Sequence, residues 1–329
     1  MGNASRSAED SPPRIPVLGI RSILAEFGIE PTRVRRVTVD RPAALGNENW
    51  HVWTRAGERF VVRRHGYGRT PEELEYEAQV MRHVAAVGWR VPVPLGAPVP
   101  NGDRLVSVCT YVPGTSHRTE NAAQLRERGA LLARLHADLR PLAPRLGQRP
   151  GWHPMHDVET TQQALRWEDG VAVLGRIRPD LVLALRAGIG VVKHRLDAVP
   201  AGALPVTVIH GDFTRWNLRF RGGRLTGVLD FDLTHLDTRT ADLAMARAAR
   251  SPELLDAYRA ESARLQWPLA AEEEHVLPVL DAALMIGIVA WELYGQLVAG
   301  AMDIDLVERQ VQKLCLATLE RAAGEGGSR

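Results

Sequence analysis

The sequence predicts an α+β fold with two lobes, a small N-terminal lobe built on an antiparallel sheet and a larger, mainly helical C-terminal lobe. Short segments rich in valine and aromatic residues, at 34–39, 50–54 and 59–63, have the composition of β-strands. Beyond residue 125, apolar residues recur at helical spacing over long segments. The 329 residues, 45% of them hydrophobic, suffice for a sizeable core in one large domain or two lobes.

The N-terminal lobe is predicted to span residues 15–112, after a polar tail at 1–14 that we expect to be disordered. The sequence Arg55–Glu58 joins two strands as a hairpin, which predicts antiparallel pairing. The lobe ends at Pro113-Gly114, a sequence typical of a hinge. Its helices are expected at 15–29 and 71–87, and its strands at 34–39, 50–54, 59–63 and 104–110.

The C-terminal lobe, residues 113–329, is predicted to be helical except around residues 206–229. The segment 141–159 is rich in proline and irregular, and we expect it to shape the substrate side. Residues beyond Gly324 are expected to be disordered. The helices are expected at 125–139, 181–199, 240–249, 252–265, 272–299 and 304–321.

The run from His210 to Asn217, followed by the segment 229–232, has the spacing of a phosphoryl-transfer centre. In protein kinases an Asp accepts the hydroxyl proton, an Asn five positions later binds metal, and a later Asp binds the metal that bridges the phosphates. Asp212, Asn217 and Asp230 match these three positions. Phosphoryl transfer depends mainly on positioning and on neutralising phosphate charge, which such oxygen-bearing side chains can provide.

The sequence around this run places the three residues at neighbouring strand ends. Residues 206–209 form a short β-branched segment that leads into the loop, and 218–220 leave it. The turn sequence 221–224 then precedes a second apolar strand, 225–229, which delivers Asp230 at its end. We therefore expect the loop and the strand end to lie side by side.

These motifs resemble those of the aminoglycoside phosphotransferase and choline-kinase-like family of small-molecule kinases, which includes one type of homoserine kinase. The resemblance covers most of the chain and implies a two-lobed protein-kinase-like fold. It implies that Asp212 is the catalytic base, that Asn217 and Asp230 bind Mg²⁺, and that His210 supports the loop. Asp242 lies where the family commonly has a carboxylate that braces the site; a helix N-terminal carboxylate is an equally good interpretation.

The resemblance also implies an ATP site in the N-terminal lobe. The family expects a lysine at the end of the third strand and a glutamate on the next helix, positions that Arg63 and Glu77 occupy here. Arginine for lysine is a departure, because its planar fork is wider than an ammonium group. Glu73 lies one turn before Glu77 and could compete for Arg63.

Two further segments are candidates for nucleotide contacts by position in the family. Residues 44–49, with Asn47 and Asn49, lie where a loop would cover the phosphates; a plain hairpin turn explains them equally well. Backbone groups of Thr110, Tyr111 and Val112 lie where the family reads the adenine edge.

Composition limits the partners. A formal charge of +2 without a basic block interleaved with aromatics argues against nucleic acid. The apolar stretch 282–291 is about half the length of a membrane span, so we expect a buried helix and no membrane partner. The only cysteines, Cys109 and Cys315, form no metal-ligand pattern, and with no secretory signal they indicate a cytoplasmic protein.

The acceptor is expected to be a small molecule with a hydroxyl group. A cluster of C-terminal carboxylates could line a pocket for a cation, which favours an aminoglycoside or other antibiotic and a role in antibiotic resistance; surface helices explain the same residues. An amino-alcohol kinase acting on homoserine or choline, and a sugar kinase, stay open, as does a pseudokinase that binds nucleotide without catalysis. The oligomeric state is left open. The carboxylates are Glu272, Glu273, Glu274, Glu292, Asp303, Asp305 and Glu308.

Overall fold

The computed structural model describes residues 17–37, 46–66, 68–200, 202–299 and 303–312. The N-terminal tail, residues 44–45 of the expected phosphate loop, Cys315 and the C-terminal end lie outside these residues. The chain divides into two compact units. The first comprises Met1–Arg82 and Val91–Val112, and the second His83–Arg90 and Pro113–Arg329.

The first unit is a five-stranded antiparallel sheet with two helices. The strand order is β1-β2-β3-β5-β4. Alternating residues of the central strands, among them Trp50, Val52 and Val62, pack with Ile20 and Leu24 of the first helix in one buried cluster. The elements are α1 (Val17–Glu26), β1 (Pro31–Arg36), β2 (Glu48–Thr54), β3 (Arg59–Arg64), α2 (Pro71–Ala86), β4 (Val99–Asn101) and β5 (Arg104–Thr110).

The second unit is mainly helical and carries two small two-stranded sheets, β6 with β9 and β7 with β8. Its helices are α3 (Ala122–Leu139), α4 (Ala143–Leu146), α5 (Val158–Ala164), α6 (Trp167–Gly175), α7 (Pro179–Asp197), α8 (Arg239–Met245), α9 (Pro252–Arg264), α10 (Ala271–Ala299) and α11 (Ile304–Gln310). Its strands are β6 (Val206–Ile209), β7 (Leu218–Arg221), β8 (Arg224–Val228) and β9 (His235–Thr238).

Helices α3 and α9 pack closely against each other. Helix α3 begins with a capping box in which the Asn121 side chain accepts from the Gln124 amide and the Gln124 side chain accepts from the Asn121 amide. At Gly129 the two backbones approach so closely that a Cβ would overlap the carbonyl oxygen of Leu254. Glycine at this position is therefore what permits the helix crossing.

Helix α10 is the longest helix among the described residues. Over Ala271–Leu297 it is long and apolar enough to cross a membrane by composition alone, but 72% of its most apolar window is buried within the protein. It packs against α6, α7 and α8. This burial is what the central helix of a globular core shows, and it agrees with the buried helix expected at 282–291.

The structure confirms the α+β class and corrects several boundaries. Strand β1 begins at Pro31, three residues before the predicted start, and Asn49 lies within β2 rather than in a loop. The segment 141–159 was expected to be irregular but contains α4 and the start of α5. The sequence analysis missed strand β9, because its four residues, His235–Thr238, mix polar and aliphatic side chains and form no clear strand pattern.

Candidate functional site

The catalytic loop predicted from the sequence forms a compact hydrogen-bonded structure between β6 and β7. The Asn217 side-chain Nδ2 donates to the Asp212 backbone oxygen at 2.9 Å and to Asp212 Oδ2 at 2.8 Å. The Leu229 amide donates to the Asn217 carbonyl at 2.7 Å, which holds the strand end beside the loop. The structure therefore brings together Asp212, Asn217 and the segment that carries Asp230.

The electrostatic environment of Asp212 differs from that of a surface carboxylate. Burial, and then the negative charge of Asp230, raise its pKa to about 6, although the hydrogen bond from Asn217 acts in the opposite direction. A carboxylate with a raised pKa is a better proton acceptor than an ordinary aspartate. Asp212 is thus suited to orient a hydroxyl group and to take up its proton.

His210 supports the loop as a neutral imidazole. Its Nδ1 accepts from the Asp212 amide at 3.1 Å, and its Nε2 lies 3.0 Å from the Leu229 carbonyl, to which it must donate. This pairing assigns the proton to Nε2. Burial lowers the pKa of His210, which favours the same neutral form. The expected supporting role fits this geometry.

The backbone conformation at position 211 requires a glycine. Gly211 has φ of 82°, a conformation that side chains with a Cβ rarely adopt. A Cβ there would overlap the carbonyl oxygen of Leu233. Only glycine allows the chain to turn from His210 into Asp212 at this point.

Asp242 supports the loop from helix α8. Its carboxylate accepts from the amides of His210 at 2.9 Å and Gly211 at 3.1 Å, and its Oδ2 lies 3.1 Å from His136 Nε2. His136 Nδ1 in turn lies 2.8 Å from the Tyr258 hydroxyl. Burial alone would raise the pKa of Asp242, but the hydrogen bond from His136 and the other donors outweigh it and lower the pKa. Of the two interpretations, the structure favours the bracing carboxylate.

Asp230 occupies a left-handed backbone conformation, with φ of 66°. This conformation is uncommon for residues other than glycine and costs on the order of 1 kcal/mol or more, although Asp and Asn tolerate it best. The turn directs the chain away from β8 immediately after the segment tied to Asn217. Backbone strain of this kind clusters at functional sites.

The donor set at this site suits a hard divalent cation. Because Asn217 Nδ2 donates to Asp212, the amide orientation is fixed and Oδ1 is the atom that can act as a ligand. Asp230 supplies a carboxylate. No cluster of three or more His, Cys, Asp or Glu side chains suitable for a metal occurs in the part of the chain that the structure describes. Magnesium commonly binds one or two carboxylates together with water and substrate phosphates, so this sparse set fits it.

Arg63 lies on the sheet face opposite the apolar core of the first unit. In the β2–β3 register Asn49 pairs with Arg63 and His51 with Val61, whereas Trp50 and Val62 belong to the core. Arg63 Nε donates to Asn49 Oδ1 at 3.1 Å. Two predicted nucleotide residues are therefore in direct contact within one sheet face.

Glu77 lies in the buried part of α2, where its exposed fraction is 3%. It forms an ion pair with Arg69, a residue that the sequence analysis did not single out. Arg69 also lies 3.5 Å from Glu73, the predicted competitor of Glu77. Arg69, and not Arg63, is thus the arginine for which a contact with Glu73 and Glu77 is described. The pairing of Arg63 with Glu77 stays a prediction.

The other predicted nucleotide residues lie at strand ends. Asn47 Oδ1 accepts from the Gly66 amide at 3.0 Å. The amides of Thr110 and Tyr111 already donate to the carbonyls of Val93 and Arg59, at 3.0 and 3.2 Å. Among the described residues the Val112 amide has no such partner. Of the three hinge residues, Val112 is therefore the one with a backbone donor available to a nucleotide base.

Arg215 is a residue that the sequence analysis missed. It lies inside the catalytic loop, between Asp212 and Asn217. Its Nε is buried and has no hydrogen-bond partner within the described parts of the chain, and its Cζ lies 4.3 Å from the centroid of the Trp216 ring. A basic residue within the eight-residue motif was the available signal. An unsatisfied buried guanidinium nitrogen within the predicted catalytic loop is a candidate anion contact.

A second polar cluster anchors the segment before α5 to β9 and to the strand end after Asp230. Arg149 Nη1 donates to the carbonyls of Asp232 and Thr234, at 2.7 and 2.9 Å. Asp237 Oδ2 accepts from the Met155 amide at 2.7 Å. Burial would raise the pKa of Asp237, but the neighbouring His156 and His235 and the Met155 amide outweigh it and lower the pKa to about 2.

The carboxylates expected to line a pocket for a cation are mostly engaged elsewhere. Both oxygens of Glu273 accept from Arg239, at 2.7 and 2.6 Å, and Glu273 is fully buried. Glu274 pairs with Arg259 and Glu308 with Arg178. Asp303 caps α11 by accepting from the Leu306 amide. The interpretation of this set as an acidic pocket is therefore not supported.

The predicted catalytic residues Asp212, Asn217 and Asp230 thus all lie in the second unit. Comparisons with known proteins show the family of the chain. Residues 40–275 match the model of a family described as the phosphotransferase enzyme family. The homoserine kinase of Acidiphilium cryptum is 29% identical over 297 residues, which cover 82% of this chain and 85% of the relative.

Solved structures with low sequence identity share the fold. A microcompartment-associated aminopropanol kinase superposes with a TM-score of 0.71 at 18% identity, covering 95% of this chain and 99% of that one. A thermostable mutant of an aminoglycoside phosphotransferase, in ternary complex with ADP and hygromycin B, superposes with a TM-score of 0.64 at 15% identity and covers 92% of this chain and 98% of that one.

Proposed function

This chain belongs to the phosphotransferase enzyme family and transfers a phosphoryl group to a hydroxyl of a small molecule, and we propose that the donor is ATP with Mg²⁺ and the acceptor a small amino alcohol bearing a carboxylate, such as homoserine. The relative from Acidiphilium cryptum carries that activity in its name. The observation that carries the proposal for the acceptor is the buried Arg215 Nε inside the catalytic loop, which has no hydrogen-bond partner among the described residues.

The proposed reaction is an in-line transfer of the γ-phosphoryl group. The acceptor oxygen forms a bond to the γ-phosphorus as the bond to ADP breaks. Asp212 orients the acceptor hydroxyl and takes up its proton, mainly through positioning and late in the transfer. Asn217 and Asp230 would hold Mg²⁺, which would neutralise charge on the phosphates. In the first unit, Arg63, Asn47 and Asn49 would contact phosphates, and Glu77 would pair with Arg63.

The charge of Arg215 discriminates between acceptor classes. A cation in the same loop as Asp212 repels a polycationic aminoglycoside, whereas it attracts the carboxylate of a zwitterionic amino acid. An arginine can bind such a carboxylate through two parallel hydrogen bonds. The engagement of Glu273, Glu274 and Glu308 with arginines removes the main argument for a polycationic acceptor. The acceptor favoured from the sequence alone is therefore revised.

The acceptor class can be tested by magnesium-dependent transfer of γ-phosphate from ATP to a panel that includes homoserine, 3-aminopropan-1-ol, choline, sugars and aminoglycosides. We expect homoserine to be phosphorylated with the highest kcat/KM. Asp212→Asn should abolish transfer, and Asp169→Asn, a surface control on α6, should not. Preferential phosphorylation of any aminoglycoside would reject the proposed acceptor.

The role of Arg215 can be tested with two acceptors that differ by one carboxylate. For Arg215→Gln we expect KM for homoserine to rise at least about 10-fold, since a charge-assisted hydrogen bond contributes roughly 1.5–3 kcal/mol. The KM for 3-aminopropan-1-ol, which lacks the carboxylate, should change little. An equal rise in KM for both acceptors would show that Arg215 does not bind the carboxylate.

A further inference from the structure

A cavity of about 680 Å³ lies within the second unit, apart from the catalytic loop. Four elements form its walls: the turn that follows α2, helix α3, the tip of the β7–β8 hairpin and the C-terminal end of α9. Its volume is within the range of small-molecule binding sites. Neither the catalytic mechanism nor the nucleotide residues use it.

Five arginines line this cavity: Arg90, Arg134, Arg221, Arg224 and Arg264. Two of them share one carboxylate, because Arg134 Nε and Arg264 Nη2 both contact Glu261 Oε1, at 2.5 and 2.7 Å. The other three have no acidic partner among the residues that the structure describes. Among the described residues, the positive charge of these three arginines is therefore not neutralised.

The one acidic residue that lines the cavity is already engaged. Asp138 Oδ2 accepts from Trp89 Nε1 at 2.7 Å, and the Asp138 carbonyl lies 2.8 Å from His83 Nε2. Apolar side chains, among them Val87 and Leu225, form part of the wall.

The unpaired arginines are carried by connected backbone. Arg221 and Arg224 are opposite partners at the hairpin tip, and the Arg90 carbonyl accepts from the Val228 amide of β8 at 2.9 Å. The turn that bears Arg90 is thus fixed to the hairpin that bears the other two. This arrangement fixes the backbone of the three arginines relative to one another before any ligand binds, which reduces the entropic cost of binding.

We propose that this cavity binds a small polyanion with several phosphate groups. Phosphate oxygens are the anionic acceptors that best match the planar donor fork of arginine. A single sulfate or phosphate would neutralise few of the five arginines, whereas a chain of phosphates can contact several at once. The inference does not depend on the proposed acceptor, because the cavity and the catalytic loop use different residues.

The test is calorimetric titration of the full chain with inorganic tripolyphosphate in magnesium-free buffer, compared with sulfate. We expect saturable binding of tripolyphosphate that weakens as salt is added, and binding of sulfate at least about 10-fold weaker. In the double variant Arg221→Gln/Arg224→Gln, the affinity for tripolyphosphate should fall at least about 10-fold, as the loss of two charge-assisted contacts implies.

The matched control removes two exposed arginines of the same unit that do not line the cavity, Arg145→Gln/Arg176→Gln, and should leave the affinity unchanged. Equal weakening in both double variants would show unspecific attraction and overturn the proposal. Unchanged affinity in the hairpin variant would show that tripolyphosphate binds elsewhere, with the same consequence. Binding of a single-stranded DNA oligomer but not of tripolyphosphate would replace the proposal with a nucleic-acid surface.

Discussion

Asp212 meets two opposing requirements. Catalysis needs a carboxylate that can accept a proton, whereas burial and the neighbouring Asp230 disfavour its charged form. The hydrogen bond from Asn217 Nδ2, at 2.8 Å, stabilises that charged form only in part. The balance leaves a pKa near 6, below the pH of a neutral solution but close enough to make the group a useful base.

The pH profile of the reaction should report this pKa. Below about pH 6 Asp212 becomes protonated and can no longer accept the hydroxyl proton, so kcat/KM should fall about tenfold per pH unit and should level off above pH 7. Initial rates with homoserine between pH 4.5 and 8.5 provide the measurement. A profile that stays flat down to pH 5 would contradict the raised pKa.

The raised pKa of Asp212 makes it a better base, but the same raised pKa lowers the stability of the folded protein at neutral pH. Because the folded-state pKa lies above the unfolded value of 3.8, the folded state holds more protons between these values. Stability from this group therefore decreases as pH rises from about 4 to 6, and the cost persists above pH 6. At pH 7.5 without metal, Asp212→Asn should have a Tm equal to or above that of the wild type while it lacks activity. Thermal unfolding measures this, and a clear decrease in Tm would contradict it.

Among the elements, the crossing of α3 and α9 makes the most specific demand on the sequence. His136 on α3 and Tyr258 on α9 join across this crossing, at 2.8 Å, to support Asp242. A change in the helix separation would therefore reach the catalytic loop through this hydrogen-bonded series.

Gly129→Ala tests the crossing. The added Cβ would overlap the Leu254 carbonyl oxygen, so we expect a loss of at least about 2 kcal/mol in the free energy of unfolding. Gly190→Ala on α7 is the matched control, because open space surrounds that position and alanine favours a helix by roughly 0.5–1 kcal/mol. Denaturant titration of both variants measures the effect. Equal stability of the two would show that the crossing tolerates a methyl group.

His156 predicts a second pH-dependent contribution, between the segment before α5 and strand β9. The Asp237 carboxylate, whose Oδ1 lies 3.7 Å from His156 Nδ1, is the main cause that raises the pKa of His156 above 6.5. The stabilisation is therefore fully present below pH 6.5 and is lost as pH rises through the folded-state pKa. His156→Gln should lower Tm at pH 5.5 and have little effect at pH 8.5, with His194→Gln, on α7, as the control. A Tm difference independent of pH would contradict this.

The contiguous parts of the site could be predicted from sequence, and the long-range parts could not. Asp212, Asn217 and Asp230 lie within nineteen residues, so their spacing alone indicates the loop and hairpin. Arg149 contacts its partners, the carbonyls of Asp232 and Thr234, only through tertiary packing, which no local pattern encodes. The acidic pocket predicted from the C-terminal carboxylates is not supported for the same reason. The sequence alone does not show that Arg239 neutralises Glu273. Strand β9 was missed because four residues give little periodic signal.

Across the whole chain, the division into two units separates the two sets of predicted residues. The sheet unit carries Arg63 and Val112, and the helical unit carries Asp212 and Asp230. A nucleotide that binds only the folded state adds RT ln(1 + [L]/Kd) to stability.

Nucleotide binding should therefore appear in thermal unfolding. At 100 times Kd, a non-hydrolysable ATP analogue with MgCl₂ should add about 2.7 kcal/mol and raise Tm. The shift should be smaller in EDTA if Asn217 and Asp230 hold the cation. The Tm shift with MgCl₂ should also be smaller in Asp230→Asn than in the wild type. This variant keeps the left-handed backbone accessible but removes a charge. A Tm shift that is the same with and without metal would contradict the proposed cation site.

The β7–β8 hairpin has a consequence for folding. Its ends bear the two proposed cation ligands, and the hydrogen bond from the Leu229 amide to the Asn217 carbonyl, at 2.7 Å, closes it after only twelve residues. Contacts of such short sequence separation have a low loop-closure entropy and can form within microseconds. The spacing of the metal ligands can thus be established early in folding and locally. The Asp242–His136–Tyr258 series joins residues more than 100 positions apart, so the catalytic loop should gain its final rigidity only as the helices assemble.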